Sequence, residues 1–449
     1  MTALNDLQGS VTYFVKLLNQ NSPGSAVTVN NASTQLQFRT NIGCWVIVED
    51  SISTNTLAAT TDGTHYNYHQ PIFPISNLQV KPDSGSQLEN QSNMDVRQFA
   101  INPVCISDNE MRKAGGGLPQ KTVYPFAIDV VGTASTIGAH YNGDVNSPSY
   151  VGQSDFANGY TPTVSSTLPS ITWSVPMRLL MGNRGSIYNK KDKAWYSPVQ
   201  CSILMQMLNP AQLGWVNTNA TNPASTTGAS ALASYTVSAT TQYFQALELN
   251  PAICQAYLNK TMAGYIEMVP QTVAASSSFT PVVNMQLNLQ QLLNNGAGKY
   301  LQYVFGLMVQ NTNNFSQYYD RANQATTSGI GYKIASYQYL ANSYPLSQFL
   351  LQTTSFDDYV FNREKLKDSA AEGLRNFYQN GVLPLSLVDG KFVDRWSPDD
   401  EGLLLNTQMP INLQINASST LVTGVASAMY MFLCTMRECK VSSQGFNLV

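Results

Sequence analysis

The sequence predicts an all-β protein built from two consecutive β-sandwiches. Short runs of alternating or wholly apolar residues recur along nearly the whole chain, and long polar loops separate them. The chain has 449 residues, whereas a single hydrophobic core stops growing at roughly 250 to 300 residues. The predicted strands fall into two groups of about seven or eight, the number that one sandwich uses. We therefore expect two sandwiches of similar plan.

The first predicted element is an amphipathic helix, which forms an N-terminal arm over residues 1–24. Its polar face carries only Asp6 and Lys16, too little basic charge to indicate binding to anionic lipid. Ser22, Pro23 and Gly24 end the segment. Apolar residues recur in it at spacings of three and four, at Leu4, Leu7, Val11, Phe14, Val15 and Leu18.

The first sandwich is predicted over residues 25–208. Its strands are expected at 35–39, 42–48, 71–80, 96–101, 121–131, 171–181 and 195–208. An Asn/Thr/Ala/Ser-rich stretch then predicts a linker over 209–236. The second sandwich is predicted over 237–449, with strands at 242–249, 264–269, 282–289, 303–309 and 332–340 before the terminal pair.

The terminal pair of strands carries the strongest pattern in the chain. In residues 409–416 apolar and polar side chains alternate, which predicts one buried face. In residues 425–436 (VASAMYMFLCTM) both alternating sets are mostly apolar, so both faces of this strand need a cover. One face can pack in the core of its own sandwich. The other requires either a second domain or a second subunit.

Each half also contains one predicted helix between strands. In the first half, Ser107 and Glu110 form a capping box, and a glycine run beginning at Gly115 ends the helix. In the second half, Ser355 and Asp358 open a longer, highly charged helix that runs to about residue 377.

The charge content excludes one class of function and favours another. Charged residues make up 11% of the chain, against roughly 25% in a typical soluble domain. No large basic patch is present, so sequence-specific or tight electrostatic binding of nucleic acid is not expected. Scarcity of charge is typical of the buried centre of a subunit interface, and it also suits an adhesive or carbohydrate-binding β protein.

The six cysteines are predicted to be reduced. They lie at positions 44, 105, 201, 254, 434 and 439, mostly within apolar strand-like runs, and form no C-x-x-C motif. Residues 1–10 lack the basic and apolar regions of a secretory signal, which agrees with folding in a reducing compartment.

Residues that could support chemistry are few, and we predict no catalytic, cofactor-binding or metal-binding residue. The segment 115–122 resembles a phosphate-binding loop, but Gln120 replaces the required second glycine. His65 and His69 would share a face only in a helix, and His140 lacks a neighbouring carboxylate set. The acids at 399–401 indicate a turn or a helix start rather than a glycosidase pair.

The chain also contains six sequons for N-glycosylation, a number expected by chance in so Asn-rich a chain, and glycosylation stays open. They lie at Asn31, Asn90, Asn219, Asn259, Asn314 and Asn416.

In its architecture the chain resembles the double jelly-roll major capsid proteins of icosahedral viruses that often enclose an internal membrane. The likeness rests on the arm, two β-rolls, a charged helix in the second roll, and the closing segments PINLQIN and SAMYMFLCTM. It implies a homotrimer that forms a pseudo-hexagonal capsomer and contacts neighbouring capsomers, penton proteins and minor capsid proteins. It also implies a virion location, assembly inside the host cell, and an arm directed toward any internal membrane.

Two alternatives belong to other classes. A polysaccharide-binding or polysaccharide-cleaving β-sandwich should expose a row of aromatic side chains beside two carboxylates, and the 24 tyrosines are compatible with this. A tail-spike or adhesin-like protein would also be an uncharged, β-rich oligomer. Assembly into hexagonal arrays or shells would distinguish the capsid protein from both.

Overall fold

A computed structural model describes part of the chain. The described residues are 11–18, 20–21, 25–31, 33–40, 44–58, 64–66, 73–95, 97, 171–176, 195–196, 200–217, 229–248, 250–279, 285–288, 300–310, 334–341, 343–345, 351–352, 391–395, 403–404, 411–417 and 427–448. Strands dominate them. The helices with described ends are α1 (Pro210–Leu213) and α2 (Pro251–Ala263). Met94, Asp95 and Arg97 are also helical, so the strand predicted over 96–101 is wrong at Arg97. Both inserted helices predicted from the sequence, near 107–115 and 355–377, lie outside the described residues.

The strands of the N-terminal half are β1 (Val11–Leu18), β2 (Val27–Val29), β3 (Gln35–Thr40), β4 (Cys44–Ala58), β5 (Thr64–Tyr66), β6 (Ile75–Pro82), β7 (Glu89–Ser92), β8 (Ile171–Pro176), β9 (Trp195–Tyr196), β10 (Cys201–Met207), β11 (Gly214–Asn217), β12 (Ala229–Ala231) and β13 (Tyr235–Glu248). Those of the C-terminal half are β14 (Ile266–Phe279), β15 (Met285–Asn288), β16 (Tyr300–Gln310), β17 (Ile334–Ala341), β18 (Tyr344–Pro345), β19 (Leu351–Gln352), β20 (Lys391–Arg395), β21 (Leu403–Leu404), β22 (Ile411–Ala417), β23 (Ser427–Ser442) and β24 (Gly445–Leu448).

Each half contains two main antiparallel sheets with the same strand order. In the C-terminal half these sheets run β14-β23-β16-β20 and β15-β22-β17-β18. In the N-terminal half they run β1-β13-β4-β8, with β2 also on β13, and β3-β10-β6-β7. The opening strand therefore pairs with the closing strand in both halves. Two four-stranded sheets connected in this way are the jelly-roll topology, so the predicted pair of jelly-roll sandwiches is confirmed.

The predicted N-terminal helix is wrong over residues 11–18. This segment is β1, and it pairs with β13 from Val11↔Glu248 to Leu18↔Thr241. β2 pairs with the preceding part of β13, where Val29 lies opposite Tyr235. β1 and β2 together therefore occupy the position beside the closing strand that β14 fills in the second roll. A full ladder of partners outweighs a local helical spacing, and the valines and aromatics of this segment also favour a strand.

The predicted linker over 209–236 and the predicted start of the second roll at 237 are also corrected. β13 pairs with β4 from Tyr235↔Ala58 to Glu248↔Trp45, so it closes the first roll. β11 pairs with β12 on one side and with β5 on the other. The stretch between β10 and β13 is therefore a connection inside the first roll, and α2 joins the two rolls instead.

The buried core of the first roll follows the alternation read from the sequence. In β10, Cys201, Ile203, Met205 and Met207 are fully buried, and the residues between them are half-buried. Their partners in the register, among them Phe38 on β3 and Val80 on β6, are buried as well. Each such side chain contributes about 1.5–3 kcal/mol on burial, and this row fixes the register because a slip of one residue would expose it.

The helix α2 has end signals that the sequence analysis did not use. Asn250 caps its start, since the Asn250 Oδ1 accepts the N–H of Ala252 at 3.0 Å, and Pro251 occupies the first helical position. Gly264, with a φ of +69°, ends it. The apolar residues of α2 do not form one stripe, which is why periodicity alone gave no helix here.

Candidate functional site: the closing strand and the contact between the rolls

The closing strand β23 is buried on both faces within a single chain. Met431, Phe432 and Leu433 are consecutive and have 3%, 1% and 0% of their surfaces exposed. Because successive strand residues point to opposite faces, both faces are covered here without a second subunit. The predicted need for a two-sided cover is confirmed. The sequence left open whether a second domain or a second subunit provides this cover. For these three residues the cover comes from the same chain.

Further along β23 the cover involves the other roll and the joining helix. α2 packs against β23, and β7 of the first roll lies beside β14, the neighbour of β23. Cys439 and Val441 are fully buried in this part of the strand. Cys439 and Cys201 are both fully buried, as the apolar runs around them predicted.

The two rolls share hydrogen bonds where the loop after β6 meets the hairpin of β23 and β24. Gly85 and Phe446 form a parallel bridge. The N–H of Ser86 donates to the carbonyl of Phe446, and the hydroxyl of Ser84 donates to the carbonyl of Gln444. The N–H of Leu448 donates to Ser86 Oγ at 3.1 Å. The rolls are thus bonded together by contacts separate from the helix that connects them in the sequence.

A buried polar group lies at the β7 edge of the first roll. Glu89 and Gln91 are fully buried, and Arg97 is 3% exposed. Gln91 Nε2 donates to Glu89 Oε2 at 2.9 Å, while the Arg97 guanidinium donates to Gln91 Oε1. Gln91 thus links two opposite charges. Inward-pointing charged side chains at a sheet edge also oppose pairing with a foreign strand.

The exposed large apolar side chains among the described residues do not include a row of aromatics beside acids. They are Tyr243, Met262, Ile266 and Tyr344. Met262 is 76% exposed near the end of α2, and Ile266 is 61% exposed at the start of β14. These two positions belong to the segment that joins the rolls.

The residues considered for chemistry are not assembled into a site in the described part of the chain. His65 lies in β5, where it pairs with Trp215 in the strand register, so it is not on a helix. His69, His140 and the segments 115–122 and 399–401 lie outside the described residues. Over the described ranges, no three His, Cys, Asp or Glu side chains are grouped to hold a metal ion. Among the sequons, Asn31, Asn90 and Asn259 are exposed.

No helix within the described ranges has the length and apolar character needed to cross a bilayer.

The ion pair between Arg39 and Asp83 is exposed to solvent, with 45% of the Arg39 side-chain surface and 40% of the Asp83 side-chain surface accessible. Water screens such a pair, so its contribution to stability is small.

Sequence comparison and structure comparison give different results for this chain. No protein-family model matches it, and no curated protein matches it. The fold, however, is similar to that of virus capsid proteins. The PBCV-1 virus capsid model matches with a TM-score of 0.56 and 10% identity, over 98% of this chain and 97% of that one. PBCV-1 VP54, fitted into a reconstruction of the virophage Sputnik, matches with a TM-score of 0.55 and 11% identity, over 98% and 97%.

A third structure extends the likeness to another virus. The Faustovirus major capsid protein matches with a TM-score of 0.54 and 8% identity, over 97% of this chain and 91% of that one. Together with the repeated strand order, these matches define the chain as a double jelly-roll protein. Its fold is the one found in these capsid proteins, and the likeness includes both rolls.

Proposed function

We propose that this chain is the major capsid protein of an icosahedral virus and that three copies form a pseudo-hexagonal capsomer. The observation that carries the proposal is the repetition of one jelly-roll topology along a single chain. Three chains with two similar rolls each would place six similar units around a threefold axis. Such a ring tiles a closed shell with few kinds of contact.

The composition supports a role in self-association. Only 11% of the residues are charged, and depletion of charge is the compositional mark of interface centres. Obligate interfaces of this kind bury about 2,000–5,000 Å² or more. In this proposal the protein has no catalytic role and is located in the virion shell after assembly inside the host cell.

The proposed partners are other copies of the capsomer, penton proteins and minor capsid proteins. Because Val11–Leu18 is paired with β13 in the sheet, we limit the proposed contact with an internal membrane to residues 1–10. We also propose that the boundary between the two rolls falls at α2, which follows the last strand of the first roll and precedes the first strand of the second.

The test is the mass of the purified protein in solution by light scattering. The proposal predicts a single species of about three times the chain mass of 49.1 kDa, unchanged on dilution through the micromolar range because the interfaces are large. A monomer that binds or cleaves polysaccharides in a glycan assay would overturn it in favour of the carbohydrate-active sandwich. An elongated trimer that binds host-cell glycans would favour the adhesin.

A further inference from the structure

The contact between the rolls has the features of a latch, formed by residues 84–88 of the first roll and 442–448 of the second. Three hydrogen bonds join the two segments, and the one from the Ser86 N–H to the Phe446 carbonyl belongs to the parallel bridge between Gly85 and Phe446. The Ser84 and Gln444 that bond to each other are 360 positions apart in the sequence. The latch is therefore an attachment separate from α2, the covalent connection.

Two glycines make this close approach possible. Gly85 has a φ of +97° and Gly445 a φ of +119°, values that residues with a Cβ rarely adopt. A Cβ on Gly85 would lie 2.7 Å from the backbone N of Phe446, and one on Gly445 would lie 2.8 Å from the carbonyl C of Ser84. Each glycine thus makes room for the backbone of the opposite segment.

The latch has a buried base and an exposed rim. Phe446 is fully buried and Leu88 is 2% exposed, whereas Ser84 and Gln444 are exposed. Neither segment contains a charged side chain. Its strength therefore comes from steric fit, apolar burial and backbone hydrogen bonds, and we expect it to respond little to salt.

Two rolls joined by a single connecting segment would be expected to move relative to each other. The latch adds direct hydrogen bonds to the packing of β7 against β14, and together these contacts restrict that freedom. We propose that the latch fixes the orientation of the two rolls, so that the chain behaves as one rigid unit. Its consequence for shell geometry rests on the proposed function above: a capsomer with six equivalent outer units requires both rolls of every chain at one fixed angle.

The first test compares two glycine variants by hydrogen–deuterium exchange and mass spectrometry. In Gly85→Ala the new Cβ meets the Phe446 backbone, so the amides of Ser86 and Leu448 should exchange at least tenfold faster than in the unmodified protein. Gly264→Ala is the matched control. Gly264 also has a positive φ, +69°, but its Cβ would meet only the flexible Lys440 side chain, at 3.0 Å from Cε. In this variant the same two amides should stay within twofold of the unmodified protein.

A milder variant covers the case in which Gly85→Ala does not fold. Ser86→Ala removes the Oγ that accepts the Leu448 N–H and leaves the backbone bridge intact. The Leu448 amide should then exchange faster, while the Ser86 amide keeps its protection. Unchanged exchange in Gly85→Ala and Ser86→Ala, or an equal increase in Gly264→Ala, would overturn the latch.

The orientation itself is measured with spin labels. Cysteines introduced at the exposed positions Ser33 and Tyr344 place one label on each roll, and labelled chains are diluted into unlabelled protein so that intrachain distances dominate. We expect a narrow distance distribution that becomes at least twofold broader with Gly85→Ala and stays narrow with Gly264→Ala. Equal widths in all three proteins would contradict the inference even if the solution mass is trimeric. A monomeric unmodified protein would contradict the proposed function and leave the latch result standing.

Discussion

The hydroxyl of Tyr235 donates a hydrogen bond to the carbonyl of Leu208 at 2.7 Å, in the buried interior of the first roll. Tyr235 opens β13, the closing strand, and Leu208 directly follows β10 in the opposite sheet. The bond therefore closes the long connection between these strands and links the two sheets of the sandwich. It lies at the ends of the stretch that the sequence suggested was a linker.

Replacing Tyr235 with Phe should destabilise the protein. The ring fits the same space, but the buried Leu208 carbonyl loses its donor, and an unsatisfied buried group of this kind costs about 1–3 kcal/mol. Urea denaturation should show a lower free energy of unfolding by that amount. The control is Tyr344→Phe, because Tyr344 is 76% exposed. An equal effect of the two substitutions would mean that the Leu208 bond is not responsible.

The same tyrosine should make stability fall at alkaline pH. Burial raises the pKa of Tyr235 well above its ordinary value of about 10. Above that ordinary value the unfolded chain releases the phenolic proton while the folded chain retains it, so the unfolded state gains stability. The contribution is complete below pH of about 10 and is lost above it, by at most ~1.4 kcal/mol per pH unit for one group.

The measurement is the free energy of unfolding from pH 8 to pH 11 in the unmodified protein and in Tyr235→Phe. We expect a smaller decline in the variant. Parallel curves for the two proteins would show that Tyr235 does not titrate differently in the folded and unfolded states.

Truncation of either of two neighbouring residues in β23 should be costly. Phe432 and Leu433 are 1% and 0% exposed and point to opposite faces. Leu433→Ala should cost about 2–5 kcal/mol and Phe432→Ala about 3–5 kcal/mol, because each leaves a cavity. The control is Met262→Ala, whose side chain is 76% exposed. A change below about 0.5 kcal/mol, the range of surface substitutions, at Phe432 or Leu433 would refute burial on both faces.

Loss of Gln91 should destabilise the edge of the first roll. In Gln91→Ala the buried Arg97 and Glu89 lose the side chain that links them, and losing buried hydrogen bonds of this kind costs about 1–3 kcal/mol. Asn90→Ala is the control, since Asn90 is its exposed neighbour in β7. Thermal unfolding should show a lower Tm only for the first variant. A network that contributes nothing would leave the two variants equally stable.

Most of the strand pattern could be predicted from the sequence because burial follows it directly. The alternation in Cys201–Met207 and the two apolar faces at Met431–Leu433 of β23 correspond to observed burial. The pairing of strands could not be read in this way. From residue 237 onward, β13 was predicted to belong to the second roll, because strand partners far away in the sequence, such as Ala58 for Tyr235, leave no local signal.

The sequence predictions that proved wrong concern segments in which a helical and a strand-like pattern are both present, or in which the deciding contacts are distant in the sequence. Val11–Leu18 satisfies both a helical spacing and a strand alternation, and its pairing with β13 decided between them. The latch left only a weak signal in the sequence, namely Gly85 between two serines and Gly445 shortly after the Ser442–Ser443 pair, because its partners meet only in three dimensions. Asn250, Pro251 and Gly264 did signal α2, and end signals alone would have predicted it.

The central claim is that each chain supplies two equivalent rolls to one capsomer. The most direct measurement is a set of negative-stain class averages of the purified protein, viewed along its symmetry axis. We expect a hexagonal outline with six lobes and threefold symmetry, in particles that pack edge to edge in flat arrays or shells. A three-lobed or elongated particle with no tendency to form such arrays would contradict it.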